Sequence, residues 1–245
     1  MRSVLIFLVI SGWIFASTIK VAVATNVSYA MPELIKAFNQ TNPDIKVQVL
    51  LGSSGKLTAQ VREGAPFELF MSANMKYPDA LYKEGFAVAK PMVYAKGALA
   101  LLSSKNRDFS KGIMLLNDSA IKKIAIANPK TAPYGKAAVD SMKKAGIYKE
   151  LKDKFVYAQT ASQAVVYAII AADIGFVAKS SLYSKKMKRY KKGRNWIEID
   201  SSLYLPIKQG VVLLKNYTKD SKKFYDFILS DRAKNIFKKF GYRVQ

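Results

Sequence analysis

The sequence predicts an α/β protein whose sheets carry helices on both faces. Short runs rich in Val, Ile, Leu and Ala alternate with stretches whose apolar residues recur at helical spacing. The same unit, a strand end, a polar or small turn and a helix start, also recurs four times, at 25–28, 52–55, 132–135 and 159–162. The length of 245 residues suits one large domain or two ordinary lobes with cores of their own.

Taken in order, 19–24 reads as a strand, and 29–39 reads as a helix with Met31, Leu34, Ile35 and Phe38 on one face. Residues 45–51 form the next strand, and the helix after it stops at Gly64 and Pro66. Strand 68–72, helix 76–84 and strands 92–95 and 98–102 follow. A second block repeats the grammar with strand 124–127, a helix that runs to about 145 and stops at Gly146, strand 155–158, helix 163–172 and strand 174–178. Strand 210–214 and helices 219–229 and 231–240 close the chain.

Ahead of the first strand, Arg2 precedes the apolar run 4–10, and Ala16 and Ser17 supply small residues for cleavage. This is the grammar of a secretory signal peptide at 1–17, too short for a comfortable membrane span. The chain has no cysteine, so disulfides cannot stabilise it and a new N-terminus carries no lipid-anchor site. A freely soluble periplasmic protein is expected.

Histidine is absent too. Ser-His-Asp triads, cysteine nucleophiles and the usual zinc ligand sets are thereby excluded, and no pattern organises a carboxylate pair or a lysine base. Binding, not catalysis, is the expected class of function. The net charge of +23 comes mainly from lysines spread over helix faces, with only seven arginines, and the dense segment 185–194 reads as a solvated basic loop and not a nucleic-acid site.

Binding chemistry concentrates in Leu51-Gly-Ser-Ser-Gly-Lys56 and the amphipathic helix that it opens. A helix start leaves N–H groups without partners and favours negative charge, so Ser54 beside Gly55 can face an oxyanion closely. In open α/β sheets, ligands gather at such carboxyl-end crevices.

These residues carry a family resemblance. Gly52-Ser-Ser-Gly-Lys-Leu57 is followed at a characteristic spacing by Gln60-Val-Arg-Glu-Gly-Ala-Pro-Phe-Glu-Leu-Phe-Met-Ser-Ala73. Ala24-Thr-Asn-Val-Ser-Tyr-Ala-Met31, Asn128-Pro129, Pro133-Tyr-Gly135 and the C-terminal 224–242 support it. With them the chain resembles the molybdate-binding, also tungstate-binding, periplasmic component of an ABC importer over nearly its whole length after the signal peptide. The resemblance implies the type II periplasmic binding protein fold, with two lobes joined by two crossing hinge strands. Lobe I is expected at 18–97 and 208–245 and lobe II at 98–207, the crossings falling near 96–99 and 205–210.

Residue by residue, the resemblance places Asn26 and Ser54 at the family's two site serines and Tyr134 and Ala161 at its two backbone N–H donors. Asn26 departs from serine: its amide must be oriented, because its carbonyl would repel an oxyanion. A site tyrosine expected after 175–177 is replaced by Ala178, with Ser180 or Tyr183 as candidate substitutes. Ser53 and Ser28 are candidate caps or supporting donors, and Lys56 is more simply a solvent-facing helix residue. Molybdate and tungstate are fully deprotonated tetrahedral dianions that only accept hydrogen bonds, whereas phosphate near neutral pH keeps a proton and calls for a carboxylate. None of the four turns holds Asp or Glu.

The resemblance therefore implies a monomer that captures molybdate or tungstate and hands it to a membrane permease. The metal is held as its oxyanion, with no ion-ligand set and no cofactor. Another oxyanion such as sulfate or thiosulfate, and an enzyme on the same two-lobe scaffold, are the alternatives.

Overall fold

The computed structural model describes residues 17–244; the expected signal peptide lies outside the described residues but for Ser17. The chain runs β1 (Ser17–Ala24), α1 (Met31–Asn39), β2 (Ile45–Gly52), α2 (Ser54–Arg62), β3 (Leu69–Ser72), α3 (Lys76–Lys83), β4 (Met92–Gly97) and β5 (Leu99–Leu102). It continues with β6 (Ile124–Ala127), α4 (Pro133–Lys144), α5 (Tyr148–Leu151), β7 (Phe155–Ala158), α6 (Ala161–Ile170), β8 (Ile174–Ala178) and β9 (Trp196–Glu198). The last elements are β10 (Ile207–Leu213), α7 (Lys219–Leu229) and α8 (Asp231–Lys239).

The strands form two five-stranded sheets, ordered β2-β1-β3-β10-β4 and β7-β6-β8-β5-β9. In each, three parallel strands are followed by an antiparallel one: β10 runs against β3 and β4, and β5 runs against β8 and β9. The chain passes from the first sheet to the second at Ala98 and comes back just before Ile207. Below, lobe I and lobe II denote the parts built on the first and second sheets.

Burial follows strand position. Central β1 is buried on both faces from Val21 to Ala24, so its apolar run is continuous. Edge strand β2 alternates instead, with Ile45, Val47 and Val49 turned to the core and Lys46, Gln48 and Leu50 to solvent. On one face of the first sheet α1, α7 and α8 pack around Phe38 and Phe224, whose rings meet edge-on at 5.0 Å; α2 and α3 cover the other face. The second sheet is covered likewise, by α4 and α5 on one face and by α6 with Leu182 and Met187 on the other. Gly64 (φ 84°) and Gly146 (φ 77°) end α2 and α4 in the left-handed region, where a side chain would be strained.

Two local differences from the expected elements have clear causes. Helix α1 starts at Met31 and not at 29, because Thr25–Val27 form a 3-10 turn and the Ala30 N–H is already bonded to the Val27 carbonyl at 2.9 Å. Strand β9 was not expected, since three residues carry no readable period. In the basic segment 185–194 Met187 and Tyr190 are buried anchors, while Lys185, Lys186, Lys188, Lys191 and Lys192 face solvent.

Candidate functional site

Parallel register decides where the chemistry sits. Ala24 at the end of β1 pairs with Gly52 at the end of β2, and Ala127 at the end of β6 pairs with Ala158 at the end of β7. Each sheet thus delivers two neighbouring turns to the cleft between the lobes. Thr25, Asn26, Ser53 and Ser54 from one side, and Tyr134 and Ala161 from the other, line a single cavity. About 10 Å³ of it admits the centre of a water-sized sphere, room for one water.

Ser54 is fully buried at the first position of α2. Its Oγ accepts the Ala73 N–H at 3.0 Å, which leaves its own proton free to donate. Ser53 is the N-cap residue, yet its side chain caps nothing, and its buried Oγ is without a partner. Helix α4 starts at Pro133 and likewise lacks a side-chain cap, so its first N–H, that of Tyr134, is not taken by a cap. In that helix Gly135 lies so close to the Ala127 carbonyl that any Cβ would collide with it, which brings the helix start down onto the end of β6. Helix α6 is capped by Thr160 through the Gln163 N–H at 3.1 Å, and this leaves the Ala161 N–H in the first turn.

Asn26 is buried but does not offer its amide N–H groups to the cavity. Nδ2 donates to Gln209 Oε1 at 2.8 Å and to the Tyr242 hydroxyl at 3.0 Å, and Oδ1 has no partner. The expectation that the Asn26 side chain supplies an oriented N–H is therefore corrected, since the two hydrogens are already used. Two other candidates fall outside the cavity. Ser28 lies 3.4 Å from Ser162 Oγ, and Tyr183 packs over Gly241 in a separate groove lined by Lys36, Lys185 and Arg232. Ala178 is buried in the lobe II core, and Ser180 gives its hydroxyl to the Asn26 carbonyl at 2.9 Å. Thr25 was not singled out in the sequence, although it is the hydroxyl residue of the same 25–28 turn. Gln209 and Tyr242 carried no local signal, because distant chain segments bring them to Asn26.

No carboxylate, lysine or arginine lines the cavity. Tyr134, which lines the cavity, and Tyr242, which bonds Asn26, are phenols: burial pushes Tyr134 well above its usual range and Tyr242 up to about 12, so both stay protonated. The arrangement can donate several hydrogen bonds to a small anion and has no group placed to activate a nucleophile.

The lobes touch across the cleft. The Gly55 N–H donates to the Thr131 carbonyl at 2.9 Å, and Ser162 Oγ donates to the Thr25 carbonyl at 2.9 Å. Lys56 Nζ reaches Gln159 Oε1 at 2.7 Å at the rim and so bridges the lobes, away from the cavity lining.

Two lobes closing on a small donor-lined cavity are what a solute-capturing protein requires, and the family description "bacterial extracellular solute-binding protein" matches residues 19–243. The chain belongs to that family. This solute-binding protein is 37% identical over 232 residues to the molybdate-binding protein ModA of Rhodobacter capsulatus, covering 93% of this chain and 88% of that one. It is 35% identical to the molybdate-binding protein ModA of Azotobacter vinelandii, covering 94% and 91%. The solved periplasmic molybdate-binding protein of Azotobacter vinelandii superposes with a TM-score of 0.85 at 30% identity over 93% of this chain and 99% of that one.

Proposed function

We propose that this solute-binding protein captures molybdate, and tungstate with it, in the periplasm and delivers the oxyanion to the permease of an ABC importer. The observation that carries this reading is the convergence of four strand-to-helix turns on one buried cavity rich in donors and free of carboxylates. A fully deprotonated tetrahedral dianion suits such a cavity. Hydrogenphosphate would bring a proton with no carboxylate to accept it. The names of the relatives above point to the same ligand.

In this reading the Ser54 hydroxyl and the N–H groups of Tyr134 and Ala161 donate to the oxyanion, with Thr25 and Ser53 as additional hydroxyls and Asn26 contributing through its backbone. If each charge-assisted bond contributes roughly 1.5–3 kcal/mol, six or seven of them reach the about −12 kcal/mol of nanomolar binding after closure and ordering costs. A tetrahedral oxyanion is larger than one water, so it holds the lobes slightly farther apart than they stand here, and hinge motion at the two crossings admits it. The protein binds and releases and does not catalyse.

Titration calorimetry of the mature protein with molybdate, tungstate, sulfate and phosphate tests the proposal. Tight one-to-one binding of the first two and no heat from phosphate is the expected outcome. Silence from both molybdate and tungstate would overturn it and favour another oxyanion.

A further inference from the structure

We infer that Gln209 and Tyr242 are positioning residues of the oxyanion site, acting through Asn26 to hold the Thr25–Val27 turn in its ligand-ready shape. This rests on the oxyanion-binding reading above and extends it to residues far away in the chain.

The hydrogen-bond directions follow from one another. Gln209 lies in β10, where the pairing with β4 shifts register, and it is completely buried. Its Nε2 donates to the carbonyls of Ile207 at 3.1 Å and Ala73 at 3.4 Å, so its Oε1 must face Asn26 as an acceptor. Asn26 Nδ2 fills that acceptor and also donates to the Tyr242 hydroxyl, whose own proton goes to the Asn26 carbonyl at 2.9 Å. Tyr242 thus holds Asn26 twice, by side chain and by backbone. Ser180 of lobe II bonds the same carbonyl. The turn held in this way has no side-chain cap of its own, so its shape depends on partners from elsewhere in the chain, these together with Ser162 on the Thr25 carbonyl.

The network also ties the site to closure. Gln209 stands on the strand that follows the second crossing. Tyr242 belongs to the C-terminal segment, where the next residue, Arg243, pairs through its backbone with Lys96 beside the first crossing (2.7 and 2.9 Å) and reaches Glu198 of lobe II with its guanidinium at 3.1 Å. Loss of the Tyr242 hydroxyl should therefore loosen the ligand-holding turn more than the fold.

The test uses Tyr242→Phe, which keeps the ring packed on Phe237, and Gln209→Met, with Tyr94→Phe as a control. The Tyr94 hydroxyl is equally buried but bonds the Ser72 carbonyl and not Asn26. Molybdate dissociation is followed by stopped flow, and melting temperature is read without ligand. Tyr242→Phe is expected to speed dissociation about tenfold, the scale of one or two buried hydrogen bonds, with the ligand-free melting temperature close to that of Tyr94→Phe. In an Asn26→Ala background the Tyr242 hydroxyl still holds the main-chain carbonyl of residue 26, so Tyr242→Phe should keep an effect but a smaller one, the side-chain bond being already gone. Unchanged dissociation in both Tyr242→Phe and Gln209→Met, or an equal effect with and without Asn26, would overturn the inference. Failure of the unaltered protein to bind any oxyanion would instead overturn the functional reading, and this inference with it.

Discussion

The two lobes furnish the cavity in different currencies. Lobe I brings side chains: the hydroxyls of Thr25, Ser53 and Ser54, with Ser54 0% exposed and held by the Ala73 N–H. In the proposed site lobe II brings only main chain, the N–H groups of Tyr134 and Ala161 at the starts of α4 and α6, whereas lobe I adds the Asn26 main chain to its hydroxyls. The contrast separates residue identity from backbone placement. On that proposal a substitution at Thr25, Ser53 or Ser54 deletes a donor, whereas at 134 and 161 any residue but proline keeps one.

The largest effect is expected at Ser54. Ser54→Ala removes a donor to the dianion and also leaves the buried Ala73 N–H without its acceptor. Molybdate affinity should fall by about 2–3 kcal/mol, and the ligand-free protein should lose about 1 kcal/mol of stability. Calorimetry and urea unfolding of the same preparation read the two losses separately. An affinity within twofold of the unaltered protein would remove Ser54 from the site.

Lobe II calls for a change that deletes an N–H without disturbing the helix. Ala161 is the first residue of α6, and Thr160 before it is extended (φ −137°, ψ 162°), so proline fits at 161 with little strain. Ala161→Pro should keep the melting temperature of the ligand-free protein and weaken molybdate by about 2 kcal/mol. Ala161→Ser, which restores the N–H, should bind close to normally. If proline binds as well as alanine, the lobe II wall does not donate from that turn.

The same contrast accounts for what was legible in the sequence. Gly52-Ser-Ser-Gly55 announces a helix start with hydroxyls, so Ser54 could be named from chemistry alone. Tyr134 and Ala161 could not, because peptide N–H groups leave no mark in residue type; only the family resemblance pointed to them. The two-sheet α/β plan was readable because buried strands and amphipathic helices have different periods, and β9 was missed because three residues show none. Asn26 was misread for another reason. An amide has donors and an acceptor, and the partners that decide its orientation, Gln209 and Tyr242, lie 183 and 216 residues away in the chain.

The smallest effect sharpens the comparison most. Tyr134 lines the cavity, and its large polar side chain invites a role as a phenol donor. In the structure its hydroxyl points instead to the first crossing, where a Cβ on Gly97 would strike both it and the Gln209 amide, and Gln209 is its poorly aligned polar neighbour. Tyr134→Phe removes a buried hydroxyl that is poorly paired with Gln209 and keeps the backbone N–H. Affinity should stay within about twofold, and stability should change by no more than about 1 kcal/mol, because a poorly paired buried hydroxyl costs about what it contributes. Calorimetry beside urea unfolding decides it: a tenfold loss of affinity would show that the phenol reaches the ligand, and lobe II would then depend on side-chain identity as lobe I does.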